Sequence, residues 1–137
     1  MTLPRPRPNT PTMLNPFLQV ALGGAIGSVA RYGVSMITMR AFGPGFPLAT
    51  MLVNVAGSFL MGALVVALAK TSGTRLAPFL MTGLLGGFTT FSAFSLDAVT
   101  LWQRNEAALA AGYVMGSVVL SIAALFLGMA AARSFWP

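Results

Sequence analysis

The sequence predicts an all-α membrane protein with four spanning helices. Four apolar stretches each reach the ~20 residues that a helix needs to cross a bilayer. Charged residues make up 7% of a chain that is 56% hydrophobic, against about 25% in ordinary soluble domains. Only short connections separate the stretches.

The elements follow in order. Met1–Pro16 holds five prolines and two arginines and reads as a disordered tail. A cleaved signal peptide is the alternative, but the first apolar stretch is long enough to span and a second follows soon after. The remainder, 17–137, is expected to form one membrane domain. Its first span is Phe17–Met39, followed by a Gly/Pro turn at Ala41–Pro47. The second is Leu48–Lys70, followed by a short loop at Thr71–Thr74. The third, Arg75–Trp102, is longer than a span requires. Pro78 sits in its first turn, where a missing N–H costs little. Gln103–Glu106 is a polar turn, and Ala107–Phe135 is the fourth span. Short links imply an up-and-down bundle with both termini on one side.

The cations leave orientation weakly specified. Arg5, Arg7, Lys70, Arg75 and Arg133 fall on the side of the termini, and Arg40 and Arg104 on the other. That bias places the termini inside. Without the tail the balance shrinks to three against two, which is compatible with insertion in both orientations.

The third span carries the most informative segment. Residues 83–95 read Gly-Leu-Leu-Gly-Gly-Phe-Thr-Thr-Phe-Ser-Ala-Phe-Ser. Paired glycines and a Thr-Thr-Phe-Ser run weaken a helix where lipid leaves every backbone polar group in need of a partner. Irregular backbone survives at that depth only when it is buried in protein or lines a wet path. The expectation is a third helix broken at Gly86–Thr90, serving an ion site or a pore.

Composition removes other classes. There is no cysteine and no histidine, so disulfides, haem and the usual zinc sites are out. The only acids are Asp97 and Glu106, so a calcium cage or a carboxylate dyad is out. The formal net charge is +6, but the cations are scattered near segment ends. They suit membrane anchoring better than nucleic acid, which asks for a basic face on a soluble fold. No Walker A motif marks a nucleotide site, and no enzyme chemistry is visible.

Several polar or aromatic residues inside the spans need a reason. Asn54 must find hydrogen-bond partners, either as glue between helices or as an amide donor to a passing anion. Tyr113, Ser117 and Ser121 fall at intervals of four on one face of the fourth helix. They form a hydrogen-bonding stripe, unless the serines simply bond back to their own helix. Phe91 and Phe94 flank the break. They are either core aromatics or ring edges whose positive partial charge can face an anion without trapping it. Arg31 lies within the first span and asks for a partner, a function or a snorkelling route to an aqueous vestibule. Asp97 follows the break and has no assigned role. Small residues are dense in three spans (Gly23, Gly24, Gly27 and Ser28; Ala56, Gly57, Ser58 and Gly62; Gly112, Gly116 and Ser117) and allow close helix approach. Four spans of this size enclose no roomy path, so an oligomer is expected.

Together these elements resemble the Fluc (CrcB) fluoride channels, from about Phe17 onward. The resemblance rests on three runs. Residues 23–32 read Gly-Gly-Ala-Ile-Gly-Ser-Val-Ala-Arg-Tyr. Residues 50–54 read Thr-Met-Leu-Val-Asn, with Gly57-Ser58-Phe59 following. Residues 86–95 read Gly-Gly-Phe-Thr-Thr-Phe-Ser-Ala-Phe-Ser. The last run is the most specific. Departures are mild: Ala49 where glycine is usual, Ser28 where alanine is common, and Asp97 where the family usually has glutamate.

The resemblance implies an antiparallel, dual-topology homodimer in the bacterial inner membrane, with two fluoride pores built from both chains. It implies a fluoride pathway through Asn54, Phe91, Phe94, Tyr113, Ser117 and Ser121. Arg31 matches the first-helix arginine, in a vestibule or structural role. The backbone carbonyls of Gly86 and Thr89 match those that hold a structural sodium ion (Na+) at the dimer centre. The expected activity is passive fluoride export that confers fluoride resistance. Two other readings are kept: a small proton-coupled multidrug exporter, for which only Asp97 could supply the embedded carboxylate, and a non-transporting membrane assembly subunit.

Overall fold

The computed structural model describes residues 14–71 and 74–135. Among them every regular element is helical. Four stretches are long and apolar enough to cross a membrane: Asn15–Phe42, Leu48–Thr71, Pro78–Gln103 and Ala107–Phe135. This is a multi-pass membrane architecture.

Helix α1 spans Leu14–Phe42. It begins inside the segment read as a tail. Pro16 is accommodated because the first turn has no intrahelical acceptor for its missing N–H. The rest of the expected tail, residues 1–13, lies outside the described residues. Gly43 ends α1 with φ 74°, and its N–H donates to Met39 O at 2.9 Å. This left-handed cap costs glycine little. Helix α2 runs Leu48–Thr71.

The third span is composite. A 3₁₀ turn at Thr74–Leu76 leads to a π-helical stretch at Pro78–Leu85, then to a single helical turn, α3, at Gly86–Phe88. Thr89 (φ −85°, ψ 160°) and Thr90 (φ −156°, ψ 125°) are both extended, and α4 resumes over Phe91–Gln103. The glycines singled out in the sequence stay helical, with Gly86 at φ −63°, ψ −37°. Within the expected interval Gly86–Thr90, helical geometry departs only at the two threonines. Their β-branched side chains suit extended backbone, and the Thr90 hydroxyl caps the next helix. Asn105 turns the chain with φ 61°, a conformation asparagine tolerates. Helix α5 then runs Ala107–Phe135.

Packing relies on backbone contact more than on large side chains. A Cβ at Gly62 would strike Leu125 O, and one at Gly128 would strike Phe59 O, so α2 and α5 touch backbone to backbone. On the other side of the bundle, a Cβ at Gly27 would strike Leu84 O, and one at Gly87 would meet Gly24 O at 2.6 Å. Lipid offers no hydrophobic drive between helices, and such seams supply close van der Waals contact instead. One apolar cluster, Phe94, Leu101, Ala110 and Tyr113, joins α4 to α5. Many large apolar side chains, among them Leu22, Ile26, Val29, Ile37, Phe126 and Leu127, face outward, as a lipid solvent requires.

Gly128→Val is expected to destabilise the protein by about 1–3 kcal/mol through overpacking. Gly33→Ala, whose Cβ would meet nothing within 4 Å, should be nearly neutral. Thermal unfolding of both variants in detergent checks this contrast.

Candidate functional site

The extended pair Thr89–Thr90 removes helical hydrogen bonds, and each affected group finds another partner. Asn54, on α2, accepts from the Thr90 N–H through Oδ1 at 2.8 Å and donates from Nδ2 to Thr90 O at 3.0 Å. One side-chain amide thus pairs with both backbone groups of one residue, as a neighbouring strand would. This pairing leaves one Nδ2 hydrogen of Asn54 unused. Thr90 Oγ1 accepts from the Ala93 N–H at 3.2 Å, the N-cap bond of α4, and lies 3.2 Å from Ser92 Oγ. On α1, Arg31 donates from Nε to Gly87 O at 3.1 Å.

These diversions release two carbonyls. In a continuous helix Gly86 O would receive the Thr90 N–H, and Thr89 O the Ala93 N–H. Both donors are committed elsewhere, to Asn54 and to the Thr90 hydroxyl. Hard oxygen atoms freed this way are the type of ligand that unwound membrane helices offer to small cations. Side chains offer no comparable site. Among the described residues no three His, Cys, Asp or Glu side chains come together.

Beside the break lies an open groove of about 340 Å³. Its lining includes Asn54, Thr89, Thr90, Phe91, Phe94, Ser117 and Ser121. Five of the six residues expected on an ion pathway are therefore gathered on one surface, from α2, α4 and α5. Phe91 projects from the groove and is 78% exposed. Ser117 is only 4% exposed, and its Oγ makes no hydrogen bond of good geometry among the described residues, although the Tyr113 hydroxyl one turn away interacts with it. Its bond back to its own helix, the plain expectation for serine, is not formed. A buried hydroxyl left without a good partner asks for a water, an ion or a ligand.

Tyr113, the sixth residue, does not line this groove. It is buried behind it, with its ring centroid 5.4 Å from Phe94. Phe94 in turn lies 5.5 Å from Phe91. The Tyr113 hydroxyl donates to Asp97 Oδ2 at 3.2 Å. Arg31 and Gly86 also lie outside the groove lining, and Arg31 is tied to the break through Gly87 as described.

The family described as "CrcB-like protein, Camphor Resistance (CrcB)" matches residues 18–129. The chain belongs to the CrcB family. It is 65% identical over 123 residues to the "Fluoride-specific ion channel FluC" of Cereibacter sphaeroides (strain ATCC 17029 / ATH 2.4.9), covering 90% of this chain and 98% of that one. It is 59% identical over 124 residues to the protein of the same name from Paracoccus denitrificans (strain Pd 1222), covering 90% and 99%. The Agrobacterium fabrum (strain C58 / ATCC 33970) protein of that name is 52% identical over 119 residues, covering 85% and 95%.

Within this CrcB chain, sequence reasoning missed Thr90 as an organising residue. Its signal was present: a threonine three residues before Ala93, opening a new apolar helix, is a capping position. Gly57 was read only as one of several small residues; a Cβ there would strike Thr89 Cγ2, so that glycine lets α2 pass directly over Thr89.

Asn54→Leu removes both bonds to Thr90 and strands its backbone groups. The variant is expected to lose about 1–3 kcal/mol of local stability. Hydrogen exchange should show the Thr90 amide losing protection selectively, while amides in the middle of α5 keep theirs.

Proposed function

We propose that this chain is a passive, fluoride-selective channel that exports cytoplasmic fluoride and so confers fluoride resistance. One observation carries the reading. In a chain of the CrcB family, with relatives named fluoride-specific ion channels, Asn54, Phe91, Phe94, Ser117 and Ser121 line a single groove. The protein is a channel and not an enzyme. Its place is the bacterial inner membrane, where the negative-inside potential drives an anion outward. Fluoride enters cells as neutral HF under acidic conditions and is trapped as the anion at cytoplasmic pH. A downhill pore therefore suffices, with no coupling ion and no nucleotide.

The chemistry of the groove follows from its lining. A small anion sheds water only where other donors replace it. The Ser117 hydroxyl makes no hydrogen bond of good geometry among the described residues, and the second Asn54 N–H is left over from the pairing with Thr90. Phe91 and Phe94 add ring edges with positive partial charge. None of these groups is a full cation, so an anion is held without being trapped. Chloride is larger and gains less from each donor.

A second copy in the opposite orientation closes the open groove and covers Phe91, giving two pores per homodimer. The weak Lys/Arg asymmetry supports insertion both ways. The Gly86 and Thr89 carbonyls, freed of their helical donors, would hold Na+ between the copies. Bound there, the ion would offset the dipoles of those carbonyls and staple the subunits together. The exporter alternative loses its footing because Asp97, its only candidate carboxylate, lies outside the groove and accepts a hydrogen bond from the Tyr113 hydroxyl.

Fluoride efflux from proteoliposomes, measured beside chloride efflux and proton/cationic-drug exchange, tests the function. The wild type is expected to pass fluoride only. Phe91→Ile and Phe94→Ile are each expected to slow fluoride by about tenfold or more, since the polarised ring edge is lost while apolar volume is kept. Near-wild-type efflux from both would remove the rings from the mechanism.

Orientation has its own check. A single cysteine at Asn105, in the α4–α5 turn, should label from both faces of the cell membrane in comparable amounts. One-sided labelling would contradict the antiparallel dimer.

A further inference from the structure

A hydroxyl inside a span ordinarily donates back to its own helix, because lipid offers it nothing else. Ser35, Thr38 and Ser95 do so, each to the carbonyl four residues earlier. Ser58, in the middle of α2, does not: among the described residues its hydroxyl makes no hydrogen bond. It lines the groove beside the break. Four residues after Asn54, it shares that residue's face of α2. Sequence reasoning counted it only among the small residues.

We infer that Ser58 is a further fluoride-binding residue: its hydroxyl is the last donor of α2 and α5 at the end of the groove away from Ser117. This rests on the channel reading.

The register of α2 against α5 sets the order of the donors. A Cβ at Gly62 would meet Leu125 and Met129, one at Gly128 would meet Phe59 and Ala63, and one at Gly116 would meet Met51. The two helices therefore run the same way, with Ser121 close to the level of Asn54. Ser117 lies about one turn before that level and Ser58 about one turn after it, roughly 5 Å of rise each way. At and beyond the level of Ser58 the groove is lined by Leu125 and Met61, whose side chains have no proton to donate. An anion that has shed water needs a new donor before it leaves the last one. Without Ser58 it would meet Met61 and Leu125 with no donor of α2 or α5 ahead of Asn54 and Ser121. A hydroxyl suits this place because it is neutral and can rotate its proton toward the ion. Small size alone would be met by alanine or glycine, which bring no hydroxyl to desolvate.

Fluoride efflux from proteoliposomes, read beside the melting temperature of each variant in detergent, tests this. Ser58→Ala removes the hydroxyl, keeps a small side chain and favours helix. It is expected to slow fluoride about fivefold to tenfold, the loss of one hydrogen bond to a charged partner, with a melting temperature no lower than that of the wild type. Ser58→Thr keeps the hydroxyl and should stay within about threefold of wild type. Ser58→Gly also lacks the hydroxyl and serves if the alanine variant does not fold. Wild-type efflux from Ser58→Ala would overturn the inference. So would equal slowing in Ser58→Ala and Ser58→Thr, or slowing that comes with a lowered melting temperature, since either would make Ser58 a packing residue. A wild type that passes no fluoride would overturn the channel reading itself.

Discussion

The pairing of the Asn54 amide with the Thr90 backbone is the constraint on which the rest of the structure depends. Within a bilayer no water is present to receive a backbone group that leaves a helix. Two extended residues in the third span expose several such groups at once. Asn54 takes the N–H and the carbonyl of Thr90, the Thr90 hydroxyl takes the Ala93 N–H, and Arg31 takes the Gly87 carbonyl. Each partner comes from a different place: α2, the break itself and α1. The interruption is thereby held by the bundle around it and does not act as a loose hinge. The same accounting explains why a polar amide and a guanidinium lie inside spans at all.

The spans were legible in the sequence because apolar runs of the required length leave little choice in lipid. Pro16 misled the boundary of α1. A proline was read as tail, while in the first turn it simply lacks an N–H that has no use there. The expected interval Gly86–Thr90 was too wide, since only Thr89 and Thr90 leave helical geometry. Gly86 and Gly87 are the weaker helix formers, yet they stay helical because the backbone of Gly87 packs closely against Gly24. Helix propensity is a local quantity, and that contact is not.

The groove residues were legible by type, as polar and aromatic groups out of place in a span. What the sequence withheld was which of their atoms are already used. Asn54 proves to be both readings at once. Its oxygen and one N–H hold the break, and its second N–H is left over. Ser117 was open to the plain reading of a hydroxyl bonded to its own helix, and only coordinates show that the bond is missing. The ring contact of Phe46 with Tyr113 could not be found, because Phe46 sits in a Gly/Pro turn with no pattern linking it to Tyr113, 67 residues later.

A division of labour follows among the polar groups. The strongest available charges near the break are not spent on the groove: Arg31 is committed to Gly87 O, and Asp97 to the Tyr113 hydroxyl. The groove is left with neutral donors and ring edges. For a downhill path this is the favourable arrangement. A guanidinium facing a small anion in a low-dielectric space would bind it tightly and slow its release. Neutral donors each contribute less, so an ion is stabilised only while several act together, and it moves on when it shifts from one set to the next. Charge in this chain is used to fix the geometry of the backbone and of Tyr113, and in the proposed channel partial charge is left to handle the ion.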